Sequence, residues 1–176
     1  VFSLVNHDCL FNNDESIRES LCETIRKGIV TDAFVELLTQ SQTNYRNFIT
    51  KFYEDKNNLK STRLLDRHEL KFGDYKIYVD SYNSSWMSEK KEVYGNLIFP
   101  LDKISDIENR NDGLKISILH HNFSWFKNQR ELKNFIEKNT DIIFTGHEHV
   151  NSYEERKSLN QSGILQIEGG ELQSNS

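Results

Sequence analysis

The spacing of apolar residues changes several times along the chain, and each change predicts an element. Residues 1–5, VFSLV, read as a short buried strand that ends in the polar loop Asn6-His7-Asp8. Asp14 can cap a helix that runs to about residue 27, with Ile17, Leu21 and Ile25 on one stripe and Gly28 as its stop. A stronger helix is predicted over about 32–53, where Phe34, Leu38, Tyr45, Phe48 and Phe52 recur at helical spacing and are expected to face the core. Residues 54–62 form a polar loop.

From Glu69 the period becomes two. Residues 69–72 and 75–82 flank Gly73-Asp74 and predict a β-hairpin with a tight two-residue turn, followed by the polar turn Asn83-Ser84-Ser85-Trp86. Beyond it the pattern predicts a strand at 96–99 stopped by Pro100, a short helix at 102–107 and a strand at 115–119. An amphipathic helix at 129–138 and strands at 141–145 and 163–167 complete the series. Strands that alternate with helices predict an α/β layered domain.

Composition narrows the class. The chain has 176 residues, the length of one domain, and only 36% are hydrophobic, but eleven Phe, seven Tyr and two Trp supply bulk for a core. A net charge of −5 gives no electrostatic reason to expect non-specific binding to nucleic acid or to a membrane. No apolar run approaches the ~18 residues of a membrane span. Cys9 and Cys22 are too few and too close to define a disulfide framework, so a reducing, cytoplasmic setting is expected.

Candidate chemistry gathers where predicted strands end. Val5 leads into Asn6-His7-Asp8, Leu119 into His120-His121, and Thr145 into Gly146-His147-Glu148-His149. Each cluster alone has an ordinary explanation. Asn-His-Asp makes turns, His-x-His is often a surface feature, and a single core histidine with a hydrogen-bond partner would account for the His-His pair. His68 and Cys9 have no such context and are expected to be a loop histidine and a small buried residue. Ligands bind beyond the carboxyl ends of strands in open α/β sheets, so three neighbouring strands would bring the three clusters together. Imidazole nitrogens suit zinc, iron, nickel or copper, and the Asn carbonyl suits harder ions such as manganese. Gly146 is expected to supply the sharp turn before His147 and His149.

In this order, NHD at 6–8, HHNFSWF at 120–126 and GHEH at 146–149 resemble motifs of the calcineurin-like metallophosphoesterase superfamily. They are similar to its GNH[DE] motif, its mid-chain metal histidine and its GHxH motif. NSSW at 83–86, YGNLIFPLDKI at 94–104 and IEGGELQSNS at 167–176 look like segments of bacterial members. The resemblance implies a layered β-sandwich flanked by helices, incomplete at its N-terminus, with residues 1–176 as the later portion of a single domain. It also implies two divalent metal ions (manganese, zinc or iron) in the complete domain. Asn6, His120 and His147 would bind one ion and His149 the other. His7 would act on the phosphate or leaving oxygen, and Asp8 would orient its ring. The implied activity is hydrolysis of phosphomonoesters or phosphodiesters by two-metal displacement. The family's Asp-x-His and Gly-Asp-x-x-Asp motifs do not precede Asn6, so the remaining ligands are expected in another part of the same polypeptide. Val5 stands where the family has glycine. A degenerate module kept for binding or scaffolding is the alternative. Substrate identity stays open, with nucleic acid disfavoured by charge and membrane excluded. The segment 54–94 with Trp86 reads either as a wall of the substrate cleft or as ordinary packing.

Overall fold

The computed structural model describes residues 23–24, 27, 30–52, 59–88, 92–104, 110–148, 152–158 and 161–169. The predicted strand at 1–5, most of the helix at 14–27, and Asn6, His7, Asp8 and His149 lie outside these residues.

Among the described residues the fold is α/β, built on a mixed seven-stranded sheet. Its strands are β1 (Leu59–Ser61), β2 (Leu65–Phe72), β3 (Tyr75–Tyr82), β4 (Leu114–His121), β5 (Ile142–Gly146), β6 (Ser152–Ser158) and β7 (Gln161–Glu168), in the order β1-β2-β3-β4-β5-β7-β6. The centre of the sheet, β3-β4-β5-β7, is parallel, and antiparallel strands close both sides. The β2–β3 hairpin forms around the predicted turn, but β2 starts at Leu65 rather than at 69 and so takes in His68, which is a strand residue and not a loop histidine. Phe72 pairs with Tyr75, and Gly73 takes a φ of +61°, which costs glycine nothing. Gly113 enters β4 so close to β3 that a Cβ would sit 2.6 Å from the Lys76 carbonyl oxygen.

One face of the sheet carries the core. Tyr82, Leu119 and Ile143 meet Leu132 and Ile136 of helix α3 (Gln129–Glu137), together with Phe34, Trp86, Phe99, Phe123 and Phe126. On the opposite face the parallel register aligns Ser81 with Ile118, Ile118 with Phe144, and Phe144 with Ile167. That face is apolar yet partly open, with Ile118 40% and Phe144 37% exposed. No helix among the described residues is long and apolar enough to cross a membrane.

Several elements differ from expectation. The helix predicted over 32–53 is two helices, α1 (Asp32–Leu38) and α2 (Thr43–Phe52), joined by a 3-10 turn at Gln40–Gln42. Thr39 causes the break, because its hydroxyl donates to the Val35 carbonyl at 2.8 Å and competes with continuation of the helix. The aromatic stripe splits with it. Phe34 is buried, whereas Tyr45, Phe48 and Phe52 lie in solvent, Phe48 stacked on Phe52. Residues 96–99 form no strand. Leu97 makes an isolated bridge to Phe126, and the Asn128 side chain takes both the Phe99 N–H and its carbonyl, replacing a neighbouring strand. The helix at 102–107 appears only as a 3-10 turn, Leu101–Lys103, with 105–109 outside the described residues. Strands β1 and β6 were not expected. β6 is an edge strand written SYEERKS, and its charges hide the apolar period.

Two cross-strand ion pairs predict different costs. Arg67 grips Asp80 through Nε at 2.9 Å and Nη2 at 3.2 Å, both side chains being about nine-tenths buried. Asp80→Ala leaves a buried guanidinium unpaired and should cost ~3–5 kcal/mol in urea unfolding. Lys71→Ala removes an exposed pair with Glu69 and should change stability by no more than ~1 kcal/mol.

Candidate metal centre

The carboxyl ends of β3, β4 and β5 meet at one edge of the sheet. Between Ile118 and His121, β4 carries one residue more than β5, a bulge that adds twist and re-aims side chains. Successive residues of a regular strand point to opposite faces. Here the rings of His120 and His121 nevertheless lie 4.7 Å apart, centroid to centroid. Ser84, in the turn after β3, braces the distortion. Its Oγ accepts the N–H of His120 at 3.0 Å and of His121 at 3.2 Å.

Residue His147 follows β5. The left-handed backbone belongs to His147 itself, with φ +77°, and not to Gly146, which ends the strand. A non-glycine residue held there is strained by ~1–3 kcal/mol. The strain brings its Nδ1 to 3.0 Å from His120 Nε2. His120, His121 and His147 form the one cluster of potential metal ligands among the described residues, each offering an atom within 4.8 Å of the others.

Hydrogen-bond accounting separates the three rings. The Glu92 carboxylate can only accept, so the His121 nitrogen facing it carries the ring proton, while His121 Nδ1 lies 3.2 Å from Ser84 Oγ. That nitrogen is Nε2, which donates to Glu92 Oε2 at 2.9 Å. Both nitrogens of His121 are committed. Of the His120-His121 pair, His121 is the buried histidine with hydrogen-bond partners. Burial holds its pKa below 6.5, against the Glu92 carboxylate, which pulls it up. Burial also pushes the Glu92 carboxyl up, but the nearby Ser88 hydroxyl and the His121 ring outweigh it and hold the group below the usual carboxylate range.

No protein-family model and no curated protein matches this chain. What the site can do is decided by its own geometry. Of the predicted site residues, His120 and His147 are brought together. Asn6, His7, Asp8 and His149 are outside the described residues. Asp66-Arg67-His68 on β2 spells an Asp-x-His, but Asp66 is held by Arg46 at 2.6 Å and contributes nothing to the cluster. Trp86 is core, 1% exposed, with Nε1 bonded to the Ile98 carbonyl at 2.8 Å. The tryptophan beside the cluster is Trp125. It meets His147 edge-on at 4.5 Å, and its Nε1 donates to Glu148 at 2.5 Å. Beside His120 a cavity of about 290 Å³ opens between α2 and the turn after β3, lined by Tyr45, Arg46, Asn83 and Ser85 among others.

The neutral state of His121 has a pH signature. In the metal-free protein, the unfolded chain takes up a proton near pH 6.5, while the folded chain waits for a lower pH. The unfolded state therefore binds more protons in that window, and stability falls as pH drops below 6.5. Glu92 adds a separate loss below its ordinary 4.5. His121→Gln should flatten the upper part of the Tm-versus-pH curve. An unchanged slope between pH ~7 and ~5 would count against a neutral buried His121.

Proposed function

We propose that this chain carries the histidine side of a binuclear metal centre in a metallophosphoesterase-like domain, and that its activity is metal-dependent hydrolysis of a phosphomonoester or phosphodiester. The observation that carries the reading is the pair His120 Nε2 and His147 Nδ1, 3.0 Å apart beyond neighbouring parallel strands. The donor set fits a divalent ion of the zinc, iron or manganese type. Two imidazole nitrogens that each reach such an ion at ~2.0–2.1 Å lie roughly 3.3–3.4 Å apart in a tetrahedral site and roughly 2.8–3.0 Å apart at a right angle, so the observed pair is within a few tenths of an ångström of either. The half-open apolar face of the sheet, with Ile118 and Phe144, supports a second layer above it, as a layered sandwich requires.

In this reading His120 and His147, with Asn6, hold one ion, and His149 holds the other. A divalent ion held there supplies positive charge that polarises a phosphoryl oxygen. His7 donates a proton to the leaving oxygen, and Asp8 keeps its ring in orientation. Ser84 fixes the end of β4 so that His120 presents Nε2 outward, and Trp125 closes the side behind His147. The net charge of −5 favours a small phosphate ester over a polyanion. Cys9 and Cys22 fit a reducing, cytoplasmic setting.

With manganese or zinc supplied, the protein should cleave aryl phosphodiesters or monoesters. His147→Ala should lower kcat/KM by more than about a hundred-fold. His68→Ala, outside the cluster, should leave it unchanged. Wild-type turnover in a folded His147→Ala protein would sink the proposal.

A further inference from the structure

Glu92 lies 29 residues before His121 in the chain, yet its carboxylate faces two of the three clustered rings. Oε2 accepts from His121 Nε2 at 2.9 Å and stands 3.6 Å from His147 Nε2. The second distance is too long for a hydrogen bond and short enough for a strong charge contact. The side chain is only 12% exposed, so solvent screens that contact little. Oε1 and the Ser88 hydroxyl beside it are both buried, and neither makes a hydrogen bond of ordinary geometry.

A neutral imidazole has one N–H and one lone pair, and the group facing each nitrogen decides which is where. A carboxylate oxygen attracts the N–H and repels the lone pair. For His147 this places the proton on Nε2 and the lone pair on Nδ1, the atom 3.0 Å from His120 Nε2. His121 fixes Glu92 from the buried side, since the carboxylate can only accept and His121 must donate to it through Nε2. Ser84, His121, Glu92 and His147 thus form one chain of contacts.

We propose that Glu92 is a positioning residue: its carboxylate, anchored by His121, holds His147 in the Nε2–H tautomer and turns the Nδ1 lone pair toward the space shared with His120. The inference rests on the metal-centre reading for its purpose but not for its tautomer. Outer carboxylates of this kind fix the ring orientation of a ligand histidine, and their loss typically weakens metal affinity 10–100-fold.

The test has two readouts besides turnover. In the metal-free wild-type protein at about pH 8, 15N chemical shifts should report Nε2–H for both His121 and His147. Finding His147 as Nδ1–H overturns the proposal without any variant. Glu92→Gln keeps the size of the side chain and removes its charge. It should move His147 toward a mixture of tautomers and weaken Co2+ binding, read by competition with a chromophoric chelator, by about 10–100-fold. A merely structural role would lower Tm without moving the tautomer of one ring. His147→Ala, measured alongside, separates the two ideas. If it abolishes Co2+ binding while Glu92→Gln changes neither tautomer nor affinity, the Glu92 role is wrong and the metal centre stands. If His147→Ala leaves Co2+ binding intact, the metal centre falls, and the purpose assigned to Glu92 falls with it.

Discussion

The hydroxyl of Ser84 is the contact on which the rest of the site depends. A bulge at the end of a central parallel strand disturbs the regular ladder, and buried amides need acceptors. Ser84 Oγ takes the N–H groups of both His120 and His121 and lies 3.2 Å from the His121 ring at Nδ1. The hydroxyl is itself held in place. Asn83 donates through its backbone to the Leu64 carbonyl at 2.8 Å and through its side chain to the Arg63 carbonyl at 2.8 Å. Trp86, three residues on, is pinned in the core. One short polar turn therefore links the packing of the hydrophobic face to the direction in which two imidazoles point.

Much of the fold was legible because it obeys simple periods. The hairpin around Gly73-Asp74, helix α3, and strands β4, β5 and β7 each bury one side against a common core, and a single buried side writes itself into sequence as period two or period 3.6. What was hidden depends on side chains standing in for backbone. Thr39 ends a helix whose apolar spacing runs straight on, and Asn128 satisfies Phe99 so that a strand-like run needs no strand. Strand β6 escaped for the opposite reason. Its pattern is that of an exposed edge, where charge is selected over alternation.

At the site, the strand ends and the histidine motifs were visible, and His120 and His147 do converge. The division of labour between adjacent histidines was not, because the partners of His121 are a serine 37 residues away and a glutamate 29 residues away. Glu92 gave no signal at all. It sits among residues 88–92, SEKKE, where a carboxylate reads as ordinary solvated charge. Only the fold brings it under two rings. The turn at Gly146-His147 looked like a glycine device, yet the strained residue is the histidine.

That strain sets conformational stability against chemistry at a single position. Glycine at 147 would relax the backbone and remove the ring, and asparagine would accept the left-handed conformation with a weaker donor for a borderline metal. A library selected only for thermal resistance should therefore drain histidine from this position, while one selected for turnover should keep it and tolerate the cost. The one non-glycine residue among those described that holds a left-handed backbone is thus the one whose retention would report that the site is in use.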